Sequence, residues 1–269
     1  MWKKLFIVVS AMLLLSLIVS VNLWHQLELA TASPVKTATD SGNTAEYPGS
    51  ILARYTELRK EINQRAGIGD DRMSYITPDA PSVVALVQEI TGGFSEDSSK
   101  YWQDVEKLYR WVPVNIQYRP DTYIPLLPEF INDELTWAKD YWRMPEETLR
   151  DREGDCEDMV ALLVSMLLCY NRQEYSVWGI EIGNAERGHV AAALPVGEGM
   201  LIIFDPSIWY TTGPTDSVMG AKTLSDALNH WLARWGKELP GAEVRAVFSG
   251  TFCQEFDSTQ EFLNWASRQ

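Results

Sequence analysis

The sequence predicts an α+β protein, helices first and an antiparallel sheet second. Between residues 50 and 170 apolar side chains recur at three- and four-residue spacing, the period of helices buried on one side. After residue 174 the period shortens to that of strands, in brief apolar runs bounded by glycine or proline. No internal repeat divides the chain, so both halves are expected in one domain over residues 50–269.

At 269 residues, 46% of them hydrophobic, the chain can build a substantial core. Its 23 basic and 37 acidic side chains leave a net charge of −14, which argues against a nucleic-acid partner because phosphate binding needs a basic face. Three cysteines are too few, and odd in number, for a disulfide scaffold.

Lys3 and Lys4 precede Leu5 to Trp24, an apolar run broken only by Ser10, Ser16, Ser20 and Asn22. Twenty helical residues rise roughly 30 Å, the thickness of a hydrocarbon core. Residues 1–30 therefore read as a signal anchor, or as a signal peptide cleaved near Ala30-Thr31-Ala32. A secretory signal has a shorter run of about 7–15 residues. Either way the two lysines stay cytoplasmic and the rest lies outside, membrane-anchored or secreted. Residues 31–49 are small, polar and helix-breaking, and read as a linker.

Ser50 can cap a helix with Ile51, Tyr55, Leu58 and Ile62 on one face. Val83, Val84, Val87 and Ile90 form a second stripe ending at Gly92-Gly93. A third helix starts near Asp97, turns Trp102, Val105, Leu108, Tyr109 and Val112 inward, and stops at Pro113. The proline-rich stretch 113–135 reads as loop, with at most one strand near Ile116–Tyr118. Strands follow over Tyr175–Ile182, His189–Leu194, Met200–Phe204 and Ala242–Phe248. A helix over 223–235 groups Leu224, Ala227, Leu228, Trp231 and Trp235, and a last short helix covers 258–267.

The chemistry sits at three positions. Gly154-Asp155-Cys156-Glu157-Asp158 opens the most apolar helix, with Gly154 supplying the sharp turn and Asp155 expected to cap the Asp158 amide. In the first turn Cys156 feels the positive helix end, which favours the thiolate, while its carboxylate neighbours oppose it. A nearby imidazolium or a bound cation would settle that balance. Cys169, in the apolar part of the same helix, reads as core, and Cys253 is undecided. Among the three histidines, His25 is incidental at the membrane boundary and His230 falls on the solvated side of its helix. His189 begins a strand, and the next strand ends at Asp205. A hairpin centred on Gly197 places the two opposite each other, close enough for the carboxylate to orient the imidazole. Thiol, imidazole and carboxylate are the parts of a cysteine acyl-transfer site, with the Cys156 amide as one oxyanion donor. Tyr118, Tyr141 and Trp142 are candidates either for the core or for an acceptor cleft.

The run from Trp142-Arg143-Met144-Pro145 to Gly154-Asp155-Cys156-Glu157-Asp158 resembles the core of the transglutaminase-like superfamily. Gly188-His189 and Phe204-Asp205-Pro206-Ser207 fall where that family keeps its other two catalytic residues. The resemblance covers residues 105–210 or so. It implies a papain-like fold, the nucleophile helix packed on the antiparallel sheet and extra helices N-terminal to it. It also implies Cys156 as nucleophile, His189 as base and Asp205 as its orienting partner. One branch, archaeal and bacterial transglutaminase-like proteins, matches Asp205-Pro206-Ser207. The other, bacterial transglutaminase-like cysteine peptidases, shares GDCED and a stretch like Val114–Tyr118. Some members of the second branch bind calcium through the acidic residues flanking the cysteine, which makes Asp155 and Glu157 calcium candidates. Here Met159-Val160-Ala161 and Pro206 depart from that branch's pattern, so no cofactor or metal is expected, with calcium as the alternative.

Together these readings predict an extracytoplasmic cysteine-nucleophile enzyme that opens amide or peptide bonds through a thioester. It is a hydrolase if water attacks the thioester, and an acyl transferase if an amine does. Its partners are a peptide or protein substrate and, through the N-terminal segment, the membrane. The competing expectation is a catalytically silent module of the same fold that binds peptide or cell-envelope polymer.

Overall fold

The computed structural model describes residues 47–130, 133–197, 199–213 and 221–269. The expected anchor or signal over 1–30, His25 and the linker up to residue 46 lie outside the described residues. Among those described, no helix is long and apolar enough to cross a membrane. Ser50–Gln269 form one compact unit.

Helix α1 (Tyr47–Asn63) begins three residues before Ser50, which therefore lies inside the helix instead of capping it. Its Ile51 and Leu58 are 62% and 46% exposed, so the expected apolar face is not buried. Periodicity marks a face without saying what covers it. Hydrogen bonds hold α1 instead, from the Tyr55 hydroxyl to the Pro128 carbonyl at 2.7 Å and from Asn63 Nδ2 to the Leu127 carbonyl at 2.8 Å. Helix α2 (Pro81–Thr91) starts on proline, ends at Gly92 with φ 75°, and buries Val83 and Val87 while Val84 faces outward. Helix α3 (Ser98–Asn115) is capped by Asp97, whose carboxylate accepts from the Lys100 amide at 2.8 Å. It runs through Pro113 instead of stopping there: the ring removes one amide donor, and the Ile116 amide still reaches the Val112 carbonyl at 2.8 Å.

The proline-rich stretch holds more than one strand. After β1 (Gln117–Tyr118), β2 (Ile124–Leu126) pairs antiparallel with β3 (Thr136–Ala138). Pro125 is tolerated because β2 has only one partner. Then come α4 (Pro145–Asp151), β4 (Glu153–Gly154) and α5 (Cys156–Tyr170). The second half contains β5 (Trp178–Gly183), β6 (Gly188–Pro195), β7 (Met200–Asp205), β8 (Tyr210–Thr211), β9 (Lys222–Thr223), α6 (Leu224–Trp235), β10 (Glu243–Phe248), β11 (Cys253–Glu255) and α7 (Thr259–Ala266).

These strands form an antiparallel sheet in the order β11-β10-β5-β6-β7-β8, with β9 also paired to β7. Both faces are covered, which is why β5 to β7 are almost continuously apolar. On β6, Val190, Ala192 and Leu194 join the core under α2, α3 and α5. The alternate residues Ala191 and Ala193 join a second core with Ala227, Leu228 and Trp231 of α6. The fold is α+β, with α5 on one face of the antiparallel sheet. Cys169 packs against the first core, and all three cysteines are free thiols.

Candidate active site

The expected cysteine helix starts at Cys156, and a short parallel pair sets its mouth: Gln117 lies opposite Glu153 and Tyr118 opposite Gly154. The Arg119 amide donates to the Gly154 carbonyl at 2.9 Å. Gly154 is needed for space, since a Cβ there would lie 2.6 Å from the Asp158 Cβ. Asp155 occupies the N-cap position, but its side chain makes no cap bond. The expected bond to the Asp158 amide is absent; the carboxylate accepts instead from the Asp121 amide at 3.3 Å. Asp158, fully buried, accepts from the Arg143 amide at 2.7 Å and from the Arg143 guanidinium, which also binds Asp121 at 3.2 Å. The WRMP stretch thus supplies the counter-charge of the helix mouth. Its tryptophan, Trp142, is buried and belongs to the core, yet also lines the cavity of the thiol. Tyr118 is 46% exposed beside the helix mouth, and Tyr141 lies in cation–π range of Arg65 and Arg143.

Cys156 and His189 face one cavity of about 170 Å³, together with Trp142, Glu157, Glu181 and Arg72. They share no hydrogen bond: the thiol donates to Glu157 Oε2 at 3.2 Å. Burial pushes the thiol pKa well up, and the Glu157 and Asp155 carboxylates push it further; the Val190 amide opposes them.

His189 Nε2 lies 2.8 Å from Asp205 Oδ2. This contact forms through a different register from the expected one. Ala192 faces Phe204 and Leu194 faces Ile202, a pairing displaced by two residues from that of a hairpin centred on Gly197. His189 and Asp205 are diagonal neighbours. The two-residue offset in pairing keeps both on the same sheet face, whereas an offset of one would have separated them. Asp205 is wholly buried and accepts four donors. Oδ2 takes His189 and the indole N–H groups of Trp231 and Trp235, each at 3.0 Å, and Oδ1 takes the Ser207 hydroxyl at 2.7 Å. Burial alone would raise the Asp205 pKa, but the bonds from His189, Trp231 and Ser207 outweigh it and hold it low. The apolar stripe of α6 was legible, but not that its two indoles turn their N–H groups to Asp205. The available signal was that a buried tryptophan must place its N–H somewhere. His230 is exposed, as expected.

Carboxylate oxygens of Asp121, Asp155 and Glu157 all lie within 4.8 Å of one another. Asp155 Oδ1 and Glu157 Oε1 are buried without a partner. Burial and the Asp155 charge raise the Glu157 pKa well above its ordinary value and that of Asp121 to about 6. Converging carboxylate oxygens with unsatisfied lone pairs fit a hard divalent cation of the calcium type. Asp155 and Glu157 were candidates from the sequence, and Asp121, from the loop after β1, joins them.

Residues 87–212 match the family model described as a transglutaminase-like domain. The matched span covers just under half of the chain. It contains Cys156, His189, Asp205 and all three clustered carboxylates, whereas α6 with its two indoles lies beyond it. Similar solved structures include Legionella pneumophila LapG, 14% identical over 68% of this chain and 94% of that one, with a TM-score of 0.33. The EGTA-treated form of LapG is also 14% identical over 68% and 94%, at a TM-score of 0.35. Its calcium-bound form is 16% identical over 68% and 98%, at 0.33. No curated protein matches the chain.

Proposed function

We propose that the transglutaminase-like domain is a cysteine-nucleophile enzyme that hydrolyses an amide or peptide bond in a peptide or protein substrate. The observation that carries this reading is the common cavity of Cys156 and His189, with the second imidazole nitrogen bound to a buried carboxylate. With Nε2 on Asp205, Nδ1 is the nitrogen that takes the thiol proton. The thiolate attacks the substrate carbonyl, the Cys156 amide stabilises the oxyanion, and the imidazolium protonates the leaving amine. Water, deprotonated by His189, then releases the acid from the thioester; an amine in its place would make the enzyme a transferase. The expected N-terminal anchor or signal puts this chemistry outside the cytoplasm.

Asp121, Asp155 and Glu157 would hold a calcium ion, and when bound it supplies positive charge beside the thiol. Without that charge the same carboxylates hold the proton on sulfur, which is the observation favouring the silent-module reading. Iodoacetamide labelling of Cys156 at pH 6, with and without calcium, tests both. Faster labelling than free cysteine, slowed by His189→Ala, is the expected result. Labelling no faster than free cysteine under both conditions, and indifferent to His189→Ala, would leave the silent module.

A further inference from the structure

Helix α6 lies outside the matched family span, yet it reaches the candidate site through the strand that carries Asp205. At one end of β7, Met200 pairs with Thr223 and Leu201 with Lys222 of β9, and the Leu224 amide donates to the Gly199 carbonyl at 2.8 Å. From there α6 runs back along β7. From Leu224 to Trp235 a helix rises roughly 17 Å, and from Met200 to Asp205 a strand spans about the same. The match in length delivers Trp231 and Trp235, one turn apart on one face, to the Asp205 end of the strand.

There the two indoles do different work. Both donate to Asp205 Oδ2, the oxygen that also holds His189. With Ser207 on Oδ1, the carboxylate accepts four donors, three of them crowded on one oxygen. Rotation of the carboxylate would break every bond at once. Trp235 also lies against the imidazole, ring centroids 3.8 Å apart and planes tilted by 36°, while Trp231 is 6.0 Å away. His189 is only 4% exposed, so water does not compete for the Nε2 bond.

We infer that Trp231 and Trp235 are positioning residues of the candidate site. Their indole N–H groups fix the Asp205 carboxylate, and the Trp235 ring shields the imidazole, so that His189 keeps its proton on Nε2 and presents Nδ1 to Cys156. The kinetic consequence rests on the cysteine-enzyme reading; the tautomer does not.

The deciding measurement is the ¹⁵N spectrum of the imidazoles, assigned with His189→Ala, in the full domain. In the wild type the neutral His189 ring shows a protonated Nε2 and an unprotonated Nδ1. Trp235→Leu, which removes both donor and cover, is expected to draw the two nitrogen signals together as the tautomers mix. Replacing the indole of Trp235 or Trp231 by benzothiophene keeps shape and packing but deletes the N–H, and is expected to do the same in part. Retention of the single tautomer in all three proteins overturns the inference, whatever happens to the melting temperature. Labelling of Cys156 is expected to slow about tenfold in Trp235→Leu, the scale of one lost hydrogen bond to a charged group. If His189→Ala itself leaves labelling unchanged, the enzyme reading fails while the ¹⁵N result still decides the inference.

Discussion

Two groups of buried carboxylates lie within one domain in opposite electrostatic situations. Asp205 is wholly buried, yet its oxygens accept from His189, Trp231, Trp235 and Ser207, and its pKa is held low. At the mouth of α5, Asp155 and Glu157 are also buried, each keeps an oxygen without a partner, and the pKa values of Glu157, Asp121 and Asp158 are raised, chiefly by burial. Burial is common to both groups; a full set of donors is not, for Arg143 serves Asp158 and Asp121 while Asp155 and Glu157 each keep a free oxygen. A saturated carboxylate is a finished part of the structure, whereas a cluster with free lone pairs is complete only with a further positive charge.

The strongest test of that contrast is Asp205→Ala. It strands three nitrogen donors and a hydroxyl in the core, and is expected to cost about 3–5 kcal/mol in urea unfolding, as does breaking a buried charged pair. An unfolding midpoint close to wild type would mean that Asp205 is not the anchor described. Gly154→Ala comes next, at about 1–3 kcal/mol, because the new Cβ must push Asp158 away from Arg143.

Titration separates the two groups by sign. Asp121, near 6, and Asp158, near 7, have folded pKa values above the roughly 4 of an unfolded carboxyl, so the native state binds more protons between these limits. Their contribution to stability is therefore greatest below pH 4 and falls as pH rises to about 7. Asp205 is depressed, so its contribution is present above pH 4 and is lost below it, through its folded pKa. Melting temperature against pH should show the first loss shrinking when calcium is added and the second unaffected by it. Equal response of both limbs to calcium would break the distinction.

Glu157→Gln is expected to stay within about 1 kcal/mol of wild type, or to gain stability, in calcium-free buffer, since it removes a charge the fold does not satisfy. The same variant should lose most of the calcium-induced rise in melting temperature. The smallest effect belongs to His230→Ala, within about 0.5 kcal/mol and without change in Cys156 labelling, as befits an exposed side chain.

Much of this was legible from local pattern. GDCED before an apolar run marks α5, glycine and proline bound the strands, and Asp97 marks the start of α3. The α1 face was misread because spacing cannot report a missing partner, and β2 because Pro125 hides a strand that needs hydrogen bonds on one side only. His189 and Asp205 were paired through the wrong register. Strand periodicity is two, so their common face survived a two-residue error in pairing.

The sequence by itself determined which groups could react and the class of fold that carries them, because both depend on residue type and short spacing. Only the tertiary structure decided how their charges are balanced. Asp121, Arg143, Trp231 and Trp235 approach the site from elements distant in the chain. Hydrogen bonds and Coulombic interactions depend on those distances and on burial, neither of which local spacing encodes.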